Sequence, residues 1–101
     1  MEEIQTITPE ELQKKLEAGE KLELVDVRED EEVAAGMIPG AKHIRMGDIP
    51  VNLDYFDKDK EYIFICRSSA RSGNVCYYLQ DQGYKVRNMV GGMMNWTGDT
   101  K

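Results

Sequence analysis

Tyr62-Ile63-Phe64-Ile65-Cys66-Arg67-Ser68-Ser69-Ala70-Arg71-Ser72 is an apolar run that ends abruptly at a thiol. The six residues after Cys66 carry two arginines, and otherwise only serine and alanine. An apolar segment of this length, bounded by small polar residues, predicts a buried strand over Glu61–Ile65. That strand would deliver Cys66 into a tight loop, with a helix starting at Ser69 or Ser72 and running to Gln82 before Gly83.

A thiol in such a loop has chemical potential because the thiolate is the nucleophile, and a free cysteine with a pKa of about 8.5 is mostly protonated at neutral pH. Three features of the run favour the anion: successive backbone N–H groups curling round the sulfur, the positive end of the following helix, and the guanidinium groups of Arg67 and Arg71. A fall of about two pH units in pKa corresponds to roughly 2.7 kcal/mol in favour of the thiolate, enough to make it the main form at pH 7. Small residues at Ser68, Ser69 and Ala70 let the backbone approach the sulfur. The plain alternative, a packed strand-end cysteine, leaves two arginines in so short a loop unexplained.

Working outward, strands and helices alternate. Gln5-Thr6-Ile7 reads as a short strand, and Thr8-Pro9-Glu10-Glu11 as a capping box with proline at the first helical position. The helix it opens carries Leu12 and Leu16 on one face, continues to about Ala18 and stops at Gly19. Leu22–Val27 reads as a second strand. Glu29 to Glu32 supply negative charge at the start of a short helix that Gly36 ends. His43-Ile44 reads as a short strand, Asp48–Leu53 as a short helix and Val86–Val90 as a last strand. The alternation predicts an α/β fold with a central, mostly parallel five-stranded sheet covered by helices on both faces. Ligands of such sheets bind beyond the carboxyl ends of the strands, where Cys66 falls.

The chain has 101 residues, the size of one domain able to bury a core without disulfides or metal. Residues 97–101 read as a mobile polar tail. No apolar segment approaches the ~20 residues of a membrane span, and no basic-then-apolar leader is visible, so a cytoplasmic location without membrane association is expected. The two cysteines and single histidine make neither a disulfide framework nor a metal site. A net charge of -6 argues against nucleic acid as a partner. The charge is uneven: residues 1–36 hold 12 acidic and 4 basic residues, residues 37–101 hold 7 acidic and 9 basic. Cys66 lies in the basic part, which a small anion can approach.

Three stretches in order resemble the rhodanese-like family of sulfurtransferases. They are Leu24-Val25-Asp26-Val27-Arg28 with Glu31-Glu32 and Gly36-Met37-Ile38-Pro39-Gly40-Ala41, then the Cys66 to Arg71 loop, then Gly91-Gly92-Met93-Met94-Asn95-Trp96. The resemblance covers nearly the whole chain and implies the rhodanese-like fold. It also implies a Cys66 nucleophile, a substrate-binding loop of Arg67, Ser68, Ser69, Ala70 and Arg71, and no cofactor. The spacing Cys-x4-Arg is similar to the sulfurtransferase form, whereas related phosphatases use one residue more, making a ring large enough for a phosphoryl group. Asp26, Arg28 and Glu32 are expected to form a supporting ion-pair or hydrogen-bond network. This chain departs from the family at Ser69, where many members have glycine, at Met37, where histidine is common, and at Val33, where an aromatic is frequent. A serine resists backbone angles that glycine adopts freely.

The resemblance implies transfer of a sulfane sulfur from thiosulfate or a similar small anionic donor to a thiol or cyanide acceptor through a Cys66 persulfide. Two other readings stay open: a sulfur-carrier or docking module for a partner enzyme, and a cysteine-dependent phosphatase or arsenate reductase. Cys76, on the helix after the loop, reads as a packed thiol rather than a resolving partner, His43 as a satisfied residue at a strand start, and Trp96 as a large apolar seal for one end of the core.

Overall fold

The computed structural model describes residues 3–101. Strands β1 (Gln5–Ile7), β2 (Glu23–Asp26), β3 (Lys42–His43), β4 (Glu61–Ile65) and β5 (Lys85–Met89) form a sheet in the order β1-β5-β4-β2-β3. Every neighbouring pair is parallel. Helices α1 (Pro9–Glu17), α2 (Asp30–Ala34) and α3 (Ala70–Gln80) complete the α/β fold. The five expected strands and three of the four expected helices are present, with ends displaced by at most two residues.

The central strand explains the placement of the thiol. Side chains alternate across a strand, and in β4 Tyr62, Phe64 and then Cys66 enter one core cluster while Ile63 and Ile65 enter the other. The first cluster receives Val75, Cys76 and Leu79 from α3, and the second Leu12 from α1 with Leu16 packed against it. Parallel sheets are buried on both faces, so β4 reads as a continuous apolar run. Each fully buried aliphatic or aromatic side chain contributes about 1.5–3 kcal/mol. Phe56 meets Tyr55, Tyr62, Phe64 and Tyr84 at ring-centroid separations of 4.9 to 6.1 Å, closing the far end of the first core.

The capping box of α1 forms as read: Thr8 N–H donates to Glu11 Oε1 at 2.9 Å and Glu11 N–H to Thr8 Oγ1 at 3.0 Å. The short helix expected over Asp48–Leu53 is instead two 3-10 segments, Met46–Asp48 and Pro50–Tyr55. Pro50 has no N–H with which to reach Met46 O in an α-turn, and Ile49 N–H takes that carbonyl at 3.3 Å. Asn52 then leaves helical angles at φ -115°, ψ 23°.

Trp96 is half-buried against the second core rather than enclosed by it. Its Nε1–H donates to Asp99 O at 3.0 Å. The polar stretch 97–101 turns back along residue 37, with Lys101 N–H donating to Met37 O at 2.8 Å and Met37 N–H to Lys101 O at 3.3 Å.

Candidate active site

Beyond β4 the chain turns at once. Ser69, the residue before α3, has φ 100°, and it is the one non-glycine residue in the left-handed region among the described residues. For an L-residue that conformation costs about 1–2 kcal/mol. The turn aims Ser69 N–H at Cys66 Sγ, 3.0 Å away, while the Ser72 hydroxyl on the first turn of α3 lies 3.2 Å from the same atom. Cys66 is 0% exposed, at the bottom of the bowl that these groups form.

Burial pushes the Cys66 thiol up, and the hydrogen bonds outweigh it: the Ser72 hydroxyl and the backbone N–H groups of Ser72, Ser69 and Ser68 bring the pKa below its ordinary value. Of the loop amides expected to cradle the sulfur, the Ser69 N–H makes the direct hydrogen bond. The two arginines play different parts. Arg71 is committed to Glu32, its Nη1 2.7 Å from Oε1 and its Nη2 2.8 Å from Oε2. Arg67 is exposed and has no ion-pair partner among the described residues. Ser68 and Ala70 are exposed, Ser68 lending its N–H to the sulfur and Ala70 opening α3.

Asp26, Arg28 and Glu32 form a network, with one partner different from expectation. The buried Asp26 carboxylate accepts from Arg28 Nε at 3.0 Å and Nη2 at 2.9 Å. Arg28 continues to the backbone carbonyls of Glu32 at 3.3 Å and Gly36 at 2.8 Å. The Glu32 carboxylate reaches across to Arg71 and also accepts Glu29 N–H at 3.0 Å. These bonds, Arg71 first, hold Glu32 at a pKa of about 2. Both Glu32 and Arg71 are less than a third exposed, so their bidentate pair ties α2 to the start of α3 more firmly than a surface pair would. His43 Nε2 lies 2.7 Å from Arg28 O, the satisfied contact expected of it.

The Gly-Gly sequence secures the other side. Met93 N–H donates to Cys66 O at 2.8 Å and Met94 N–H to Arg67 O at 3.0 Å. Gly92 has φ +59°, and a Cβ there would lie 2.4 Å from Arg67 O and 2.6 Å from Cys66 O. Only glycine allows the two backbones to come this close. Beside the loop, bordered by its Arg67, lies an open depression of about 380 Å³ whose other lining residues are Arg28, Glu32, Ala35, Met93 and Met94.

Two contributors were not singled out from the residues alone. Ser72 closes the quoted run, and its hydroxyl contacts the sulfur. Asn88 on β5 is buried, with Oδ1 2.5 Å from Ser72 Oγ. Its signal is periodicity: two residues after Val86 it falls on the face shared with Phe64 and Cys66, where a polar side chain requires a partner. Cys76 is also buried in the first core; burial, with the charge on Cys66, pushes its thiol up to about 12. No group of three or more metal-ligating side chains occurs among the described residues, and none of the described helices is long and apolar enough to cross a membrane.

With this strand-end thiol, its six-residue loop and its Gly-Gly clamp in place, the chain belongs to the rhodanese-like domain family, whose profile matches residues 8–99. Its relatives place it with the sulfurtransferases. YtwF of Bacillus subtilis (strain 168), provisionally named a sulfurtransferase, is 63% identical over 99 residues, covering 98% of this chain and 96% of that protein. A protein of Allochromatium vinosum named sulfurtransferase is 40% identical, with 92% and 88% covered. The crystal structure of a rhodanese-like domain protein from Staphylococcus aureus superposes with a TM-score of 0.91 at 42% identity, with 97% of each chain covered.

Proposed function

We propose that the protein moves a sulfane sulfur from thiosulfate or a similar small anionic donor to a thiol or cyanide acceptor through a persulfide on Cys66. The Cys66 thiolate attacks the outer sulfur of the donor, the sulfur–sulfur bond of thiosulfate breaks, and sulfite leaves with the bonding pair. The acceptor then attacks the outer persulfide sulfur, and Cys66 departs as the thiolate it began as, so no external oxidant or reductant is consumed. Arg67, the uncommitted cation at the mouth, attracts the donor anion. The N–H groups from Ser68 onward support charge on sulfur, and Arg71 holds the loop through Glu32 while keeping its positive field near the thiolate.

The observation that carries this reading is the pair of donors on one buried sulfur, Ser69 N–H at 3.0 Å and Ser72 Oγ at 3.2 Å, inside a ring of six residues. A ring this small suits a single sulfur atom better than a tetrahedral phosphoryl group. Intact-protein mass spectrometry after thiosulfate treatment tests it. Wild type and Cys76→Ser are expected to gain one sulfur atom and Cys66→Ser none; a gain that survives in Cys66→Ser would reject the assignment. Turnover of an aryl phosphate without any sulfur uptake would favour the phosphatase instead.

A further inference from the structure

The Ser72 hydroxyl has one proton and three acceptors in reach; Ser69 O, 3.2 Å away, is part-buried and already accepts the Asn88 NH2 group, which leaves two buried claimants. Asn88 Oδ1 lies 2.5 Å from Ser72 Oγ and Cys66 Sγ lies 3.2 Å from it. The orientation of the Asn88 amide follows from its other contact: a carbonyl oxygen only accepts, so the atom facing Ser69 O at 3.2 Å is the NH2 group. Oδ1 must then face Ser72, where it acts only as an acceptor. Asn88 is 8% exposed, so water offers little substitute for either bond.

We propose that Asn88 is a positioning residue whose Oδ1 competes with the Cys66 sulfur for the Ser72 proton, holding that proton while the sulfur is neutral and yielding it when the sulfur is anionic. With a thiol, S–H donates to Ser72 Oγ and Ser72 O–H donates to Asn88 Oδ1. When the thiol proton leaves to solvent, the sulfur becomes an acceptor only. Ser72 O–H rotates to it, and Asn88 Oδ1 loses its donor. A buried carbonyl left without a donor is costly, so the amide raises the free energy of the anion by part of what the hydroxyl contributes. When Cys66 carries a persulfide, its inner sulfur is neutral and the proton returns to Asn88. Asn88 Nδ2 also binds the carbonyl of Ser69, beside the left-handed turn that aims Ser69 N–H at the sulfur.

Arg71 on α3, with its Glu32 partner from α2, and Cys76 on α3 interact electrostatically with the sulfur, and the other charged groups of the site are Arg67 on the loop and the buried Asp26–Arg28 pair after β2. None of them contacts the Ser72 hydroxyl, so the competition is separable from their fields.

The inference rests on Cys66 being the reactive thiol, but its test reads ionisation and not sulfur transfer, so the two can fail separately. The pH profile of Cys66 alkylation, followed by site-resolved mass spectrometry, is compared in wild type, Asn88→Ala, Ser72→Ala and the double variant. Asn88→Ala releases the hydroxyl to the sulfur, and the midpoint is expected to move down by about half to one pH unit, a rate gain of about three- to tenfold below the midpoint. Ser72→Ala moves it up. Adding Asn88→Ala to Ser72→Ala then has a smaller effect, that of losing the Asn88 Nδ2–Ser69 O bond alone. Asn88→Asp, of similar size, strengthens the acceptor but exchanges the NH2 group facing Ser69 O for an oxygen; it raises the midpoint, and by less when Ser72 is absent. An Asn88→Ala midpoint that stays or rises, or an Asn88 effect of equal size with and without Ser72, overturns the proposal.

Discussion

Cys66 and Cys76 belong to one core cluster and are both 0% exposed, yet their thiols are driven in opposite directions. Burial acts on both and favours the neutral form. At Cys76, on the body of α3, nothing answers it, because helix N–H groups are spent on the helix itself. At Cys66 the chain leaves a strand and enters a helix within four residues, and the N–H groups of Ser68, Ser69 and Ser72, with the Ser72 hydroxyl, turn toward sulfur. The opposite shifts follow from donors delivered to one of two buried atoms, not from exposure. The thiols differ because one sits where the backbone runs out of partners.

The contrast can be broken most completely at the sulfur atoms. Cys66→Ser is expected to lower sulfur transfer below about a thousandth of wild type, whereas Cys76→Ser keeps it within about twofold; a steady-state assay with thiosulfate and cyanide reads both. Next in size is the clamp on one cysteine's loop alone. Gly92→Ala sets a methyl against Arg67 O and Cys66 O, which is expected to cost about 2–4 kcal/mol of stability by denaturant titration and to move the Cys66 alkylation midpoint upward.

A smaller effect is expected at the tie between α2 and α3. Glu32→Gln removes the charge facing Arg71, with a loss of about 1 kcal/mol at neutral pH. Because the Glu32 pKa is depressed in the folded state, its contribution is complete above the ordinary value of 4.5 and disappears as pH falls toward about 2. Wild-type stability should therefore decline through that window, and the Gln variant should lack this part of the decline. The smallest change sharpens the comparison instead. Ser69→Gly relieves about 1–2 kcal/mol of left-handed strain and gives back about 0.4–1 kcal/mol through a freer unfolded chain. The net gain, about 0.5 kcal/mol, corresponds to a rise in Tm of about 2–4 °C by calorimetry.

Much of the frame was legible from local pattern. The continuous apolar run Tyr62–Ile65, the Thr8 capping box and the break at Gly83 are near-neighbour effects, and each appears where the chain chemistry puts it. The strained backbone at Ser69 was also visible, as a serine in a place suited to glycine. What stayed hidden depends on distant segments meeting. Glu32 selects Arg71, 39 residues away, over the nearer Arg28 because Asp26 already occupies the Arg28 guanidinium. The need for glycine at position 92 arises from the backbone of residues 66 and 67. Asn88 becomes meaningful only when β5 lies beside β4 and sets it within reach of Ser72. At Pro50 the local chemistry was readable, and the missing N–H accounts for the 3-10 segments that replace an α-turn.

The central claim is that backbone and hydroxyl donors lower the pKa of the Cys66 thiol despite complete burial. Thiolate absorbance titrated against pH in Cys76→Ser, with Cys66→Ser as the blank, tests it most directly. The account predicts a midpoint clearly below the value of about 8.5 for a free cysteine. A midpoint at or above that value would contradict it.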